Sequence, residues 1–165
     1  MFKLMLAAMS FASFLIWAGV RIYAGIHYDT MIGDYISQAA TSPSPPIAVA
    51  RLDTAIGEIE REGLTSGNTA IFFTYPTNDL GFWYQRLVDS RTILQALPTT
   101  DSALEISNTM MRVHESIAGQ SKDGDYVLAP AGIEIFPHNI AFFWWCITSL
   151  ILTMIFGALA VTESL

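Results

Sequence analysis

The sequence predicts a mainly α-helical membrane protein, with two transmembrane helices flanking a small helical-bundle domain and a short β-hairpin before the second span. Three observations carry this expectation. Two uncharged apolar runs, Leu4 to Val20 and Ile140 to Val161, stand towards the two ends of the chain, and nearly everything charged lies between them. Within that polar block the apolar residues recur mostly at three- and four-residue steps, the signature of amphipathic helices. Charged residues make up only 14% of the 165, few for a soluble domain, and they are segregated rather than interspersed.

A hydrocarbon core of roughly 30 Å needs about 20 helical residues. The second run meets that length, and the first reaches it when Ile22, Tyr23 and Ala24 extend it past Arg21, whose charged end is expected to snorkel. Residues 1–24 are therefore read as the first span and 139–161 as the second, with 162–165 as a short tail. A cleaved signal peptide is the other reading of the first run, because Met1-Phe2-Lys3 is a basic start and Ile22-Tyr23-Ala24 is a tolerable cleavage site. The position of Arg21 and the length of the run favour an uncleaved anchor. Positive-inside counting sets Lys3 and the amino terminus against Arg21 and orients both termini towards the cytoplasm. The middle domain is then periplasmic, extracellular or lumenal. Trp17, Tyr23, Phe142, Phe143, Trp144 and Trp145 gather at the domain-side boundary of both runs, where an interfacial aromatic belt is expected.

Residues 25–40 continue the helical pattern, with Met31, Ile32, Tyr35, Ile36 and Ala39 on one face of a stalk. Thr41-Ser42-Pro43-Ser44-Pro45-Pro46 reads as a loop. Residues 47–122 form the expected helical domain. Its first helix runs from Ile47 to Arg61, burying Leu52, Ala55, Ile56 and Ile59, with Gly63 as C-terminal cap. Asn78-Asp79 opens a second, whose stripe of Leu80, Trp83, Tyr84, Leu87, Leu94 and Leu97 stops at Pro98. Ser102-Ala103-Leu104-Glu105 resembles a capping box for a third, with Leu104, Met110, Met111, His114 and Ile117 on its inner face before Gly119. Stripes of this kind bury one another in a small antiparallel bundle. In residues 123–138, Tyr126–Ala129 and Ile133–Phe136 are β-prone runs around Pro130-Ala131-Gly132, which predicts a hairpin at the membrane entrance. Asn139 is the expected N-cap of the second span.

Between Gly25 and His138 there are 14 acidic side chains against 6 basic ones. Such a surface repels phosphate backbones, so nucleic acid is not an expected partner. Cys146 is the single cysteine and lies in the second span, so no intrachain disulfide is possible and the thiol reads as a small apolar residue. The histidines His27, His114 and His138 lack a second histidine three or four residues away, the spacing that aims two imidazoles at one metal. A meeting of His27 and His138 beside the headgroups is the sharper alternative to ordinary surface histidines. Asp123-Gly124-Asp125 reads as a turn rather than a calcium loop, which needs further oxygen ligands. Ser66-Gly67-Asn68-Thr69 lacks the Lys-Ser/Thr of a phosphate loop and reads as a turn as well. No cofactor, metal or catalytic residue is expected, and no enzymatic activity.

The densest feature is aromatic. Phe72, Phe73, Tyr75, Phe82, Trp83 and Tyr84 flank Pro76, and most of them are expected in the core, at about 1.5–3 kcal/mol per buried ring. The other reading is a patch facing a partner or dipping into the membrane.

Leu64-Thr65-Ser66-Gly67, Tyr75-Pro76-Thr77-Asn78-Asp79-Leu80-Gly81-Phe82-Trp83-Tyr84 and Ala131-Gly132-Ile133-Glu134-Ile135-Phe136-Pro137-His138-Asn139 resemble recurring segments of an uncharacterised group of small bacterial, often cyanobacterial, proteins with two membrane helices. The resemblance covers most of the chain. It implies the same architecture and a bacterial inner or thylakoid membrane, and it implies no catalytic residue.

The expected function is a non-catalytic, membrane-anchored accessory or scaffold protein, acting through its acidic domain on a membrane-protein partner or a second copy. Ala8-x-x-x-Ala12 and Gly157-Ala158 permit close helix contact within lipid. A ligand-binding sensory ectodomain is the alternative, signalling through a partner because only Thr162-Glu163-Ser164-Leu165 follows the second span. A small oligomeric channel ranks below both, since neither run carries an ionisable residue away from its boundary.

Overall fold

The computed structural model describes residues 2–97, 102–121 and 124–162. In order these form α1 (Phe2–Tyr28), a π-helical turn (Asp29–Gly33), α2 (Asp34–Ala40), α3 (Pro45–Arg61), α4 (Leu80–Gln95), α5 (Ala103–Ile117), β1 (Ala118–Ser121), β2 (Gly124–Val127) and α6 (Asn139–Thr162). The protein is mainly helical. Two of its helices, Phe2–Ala40 and Asn139–Thr162, are long and apolar enough to cross a membrane.

The chain divides into two compact units, one made of residues 1–26 and 134–165 and the other of residues 27–133. In the first, α1 and α6 run antiparallel, joined by two tryptophans and a pair of serines. Trp17 Nε1 donates to the Phe142 carbonyl at 2.9 Å, and Trp145 Nε1 donates to Ser13 Oγ at 2.9 Å. An indole N–H in apolar surroundings needs an acceptor, so these two rings turn towards the opposite helix. Ser149 Oγ donates to the Trp145 carbonyl at 2.8 Å and lies 3.4 Å from Ser13 Oγ. Thr153 bonds its own helix through the Ser149 carbonyl at 2.7 Å. Ala8, Ala12 and Ala158 are exposed and take no part in this pairing. Arg21 places Nη1 2.7 Å from Glu134 Oε1.

In the second unit, α3 packs against α2 and α4, α5 packs against α4, and α5 returns to α2, so four helices surround one core. Ile36, Leu52, Ile59, Leu80, Leu87 and Ile117 are its largest fully buried side chains. The stalk face expected over 25–40 is the buried face of the π turn and α2, where Ile32, Ile36, Ala39 and Ala40 are covered. Helix α3 begins two residues before the expected Ile47. Ser44 is extended and Pro45 and Pro46 occupy the first helical turn, where a missing N–H costs nothing and the fixed φ suits the helix. Its end follows expectation. Gly63 takes φ +72°, Leu64 N–H donates to the Ile59 carbonyl at 2.9 Å, and Gly63 N–H donates to that of Glu60 at 3.2 Å, the paired bonds of a Schellman cap.

Helix α4 opens as read, with the Asp79 carboxylate accepting from Phe82 N–H at 2.9 Å, and closes at Gln95; Pro98 lies outside the described residues. The Ser102 cap of α5 accepts from Glu105 N–H at 3.3 Å. The inner face of α5 differs from expectation. Val113 and Ile117 are buried while Leu104 and Met111 are exposed, because the helix is covered only towards its C-terminal end. Helix α5 ends before Gly119, with Ala118 already extended at the start of β1.

The hairpin expected between Tyr126–Ala129 and Ile133–Phe136 does not form. Gly124–Val127 pairs antiparallel with Ala118–Ser121 instead, and Ile133–Ile135 is a single 3-10 turn after Gly132 at φ +78°. Asn139 is the first residue of α6 rather than its cap, and the His138 carbonyl accepts the first helical bond from Phe142 N–H at 2.9 Å. Asp123 of the Asp-Gly-Asp segment and the tail from Glu163 fall outside the described residues.

Candidate functional site

Between α3 and α4 the chain makes a loop whose base is closed and whose tip is aromatic. Asn68 and Asp79 form an antiparallel bridge. Thr69 N–H donates to the Asn78 carbonyl at 3.0 Å, and Leu80 N–H to the Gly67 carbonyl at 3.0 Å. Side chains tighten the same base: Asn78 Nδ2 donates to Thr69 Oγ1 at 3.3 Å, and Asn68 Oδ1 accepts from Ala70 N–H at 2.9 Å. Gly67 at φ +116° supplies the backbone that only glycine adopts readily, so Ser66-Gly67-Asn68-Thr69 is a turn with a structural task. A loop whose ends are held together in this way is of the Ω type, and such loops often carry function.

The six aromatic residues separate into two groups. Phe72, Phe73, Tyr75 and Phe82 are 66%, 72%, 59% and 61% exposed, whereas Trp83 is 4% exposed. Core packing, expected for most of the cluster, therefore holds for Trp83 and fails for these four. The physical reason is local. Residues 70–75 belong to the loop tip, beyond the closed base, and Phe82 lies on the outer face of α4, one position from the buried stripe of Leu80, Trp83 and Leu87. Tyr84 is intermediate, and its hydroxyl donates to Glu60 Oε1 of α3 at 2.6 Å. That bond, with partial burial and the Glu60 charge adding to it and Arg91 opposing, raises the Tyr84 hydroxyl above its ordinary value near 10.

Beside the loop lies a groove of about 360 Å³ lined by Pro76, Phe82, Trp83, Arg86, Leu128 and Pro130, among others. The Arg86 guanidinium sits 6.0 Å from the Phe82 ring centre, a cation–π distance. The surface is thus largely apolar, with Arg86 and Asp79 as its charged members.

Of the membrane-belt residues, Tyr23 and Trp144 are exposed while Trp17, Phe142, Phe143 and Trp145 are partly covered. Phe14 and Trp17 stack at 5.5 Å, and Phe143 meets Trp144 edge-on at 5.5 Å. His27 Nε2 lies 3.8 Å from Glu62 Oε1, His114 Nδ1 lies 3.2 Å from the Ala40 carbonyl, and His138 is exposed. Among the described residues no group of three or more His, Cys, Asp or Glu side chains is placed to hold a metal ion. Cys146 is a free thiol, partly covered within α6. No protein-family model, curated protein or solved structure matches this chain.

Proposed function

We propose that this protein is a non-catalytic, membrane-anchored accessory or scaffold subunit whose acidic domain docks, through the aromatic loop, onto a membrane-protein partner or a second copy of itself. One observation carries the reading: Phe72, Phe73, Tyr75 and Phe82 are exposed on a loop whose base is fixed by backbone and side-chain hydrogen bonds. Aromatic residues held out of a core on a preorganised support are what protein interfaces concentrate, because each ring adds large contact area for little lost side-chain entropy. In the same reading the two apolar helices cross a bacterial inner or thylakoid membrane with both termini in the cytoplasm, and the domain lies in the periplasm or lumen.

The test separates docking from folding. After mild detergent extraction, mass spectrometry of a size-separated wild-type sample should find a reproducible larger complex. Phe73→Ser combined with Tyr75→Ser should abolish that complex while shifting stability by less than about 0.5 kcal/mol, as for exposed positions generally. Trp83→Ala, in contrast, should destabilise the domain by about 3–5 kcal/mol. A monomer in the wild type, or a complex indifferent to the double substitution, would reject the reading.

A further inference from the structure

We propose that the groove between α4 and α5 binds an elongated organic dianion, an α,ω-dicarboxylate with an apolar chain between its two charges. The argument starts from the arginines. Of the six in the chain, Arg21 pairs with Glu134, Arg61 with Glu58 and Arg91 with Asp53. Arg51 lies over the Tyr35 ring and Arg86 over the Phe82 ring, each at 6.0 Å. Arg86 and Arg112 meet no carboxylate among the described residues, in a chain whose net charge is −7. Both line the same groove, about 520 Å³ in volume, within the size range of small-molecule sites.

The helix register fixes how far apart their backbones stand along the groove. Ser90 Oγ is 2.9 Å from Ser116 Oγ, and Leu97 and Thr109 line the other end of the groove together, so the helices run antiparallel. Arg112 is therefore level with Leu94, eight residues along α4 from Arg86. At 1.5 Å per residue the two backbone levels are about 12 Å apart. Ile93 and Val113 provide apolar wall between these levels, and Leu97 extends it. Asp89 lies between them too, exposed and accepting from Gln85 Nε2 at 2.9 Å. The charge order along the groove is thus plus, minus, plus. A lone anion at its centre meets Asp89, whereas an anion at each end meets a guanidinium, and C–C bonds of about 1.5 Å make an extended ten-carbon diacid span roughly 11 Å.

The hydroxyl pair does not compete for the ligand. Ser116 Oγ donates its proton to the Val113 carbonyl at 2.8 Å, so Ser90 donates to Ser116, and both protons are committed. The proposal shares Arg86 with the surface beside the aromatic loop, and its test reads ligand binding rather than complex formation.

Decanedioate is the probe, titrated calorimetrically into the full chain in phosphatidylcholine nanodiscs, with empty nanodiscs subtracted. Saturable binding of one decanedioate per chain is expected. Arg86→Gln and Arg112→Gln should each weaken it tenfold or more, Arg51→Gln should leave it unchanged, and pentanedioate, too short to reach both ends, should bind at least tenfold more weakly. Circular dichroism of the variants checks that the helices persist. Absence of wild-type binding, equal binding of pentanedioate, or affinity insensitive to either groove arginine would overturn the proposal.

Discussion

Tyr84 shows how one side chain couples two helices and a pH dependence. Its hydroxyl donates to Glu60 across the α3–α4 contact, and this holds the proton more tightly in the folded chain than in the unfolded one. A raised folded value means the contribution is complete below the unfolded value near 10 and disappears as pH climbs through the folded value. Solvent reaches this pair, so its worth is at most about 1 kcal/mol. Thermal melts of wild type and Tyr84→Phe should therefore differ by a small constant margin from about pH 7 to 9, and the margin should vanish in more alkaline buffer. A margin that widened there would contradict the assigned bond.

At the scale of elements, caps and turns decide where helices stop. Gly63 ends α3 in a left-handed conformation with open space around the position a Cβ would occupy, so Gly63→Ala incurs a backbone penalty and no clash. A loss of about 1–2 kcal/mol in denaturant unfolding is expected, with Gly63→Asn costing less. This helix end was legible in the sequence because glycine after an apolar stripe has a single good explanation. The Asp79 and Ser102 caps were legible for the same reason, as each places an oxygen where free N–H groups need one. The strand pairing was not. Tyr126 and Val127 look like strand, but their partner segment, Ala118-Gly119-Gln120-Ser121, has no β-branched or aromatic residue and reads as a helix stop. Ile133-Glu134-Ile135 alternates like a strand, yet Pro130 and Gly132 bend the chain before it and it closes into one turn. The aromatic cluster was legible as a feature but not in its burial, since exposure at Phe72, Phe73 and Tyr75 follows from the Asn68–Asp79 closure, a pairing between distant residues. Nor did periodicity distinguish Arg86 and Arg112 from the paired arginines, because partnership is a property of neighbouring helices.

For the whole molecule, the division into two units has a measurable consequence. Every one of the largest buried side chains, from Ile36 to Ile117, belongs to residues 27–133, so the core of that unit includes the C-terminal part of the Phe2–Ala40 helix but needs no residue from 1–26 or 134–165. A fragment of residues 27–133 should fold by itself, with a helical circular dichroism spectrum and a single cooperative melt. A non-cooperative melt would show that the unit depends on the helices flanking it.

The π turn at Asp29–Gly33 interrupts an otherwise α-helical run from Phe2 to Ala40. A turn closed by i→i+5 bonds holds one residue more than an α turn, so it behaves as a one-residue insertion absorbed within the helix. Removing a residue there would restore α-helical winding while the stretches on either side kept their phase, whereas the same deletion elsewhere would rotate every following side chain by about 100°. This makes the turn the one place in that helix where its length and its facing are independent of each other.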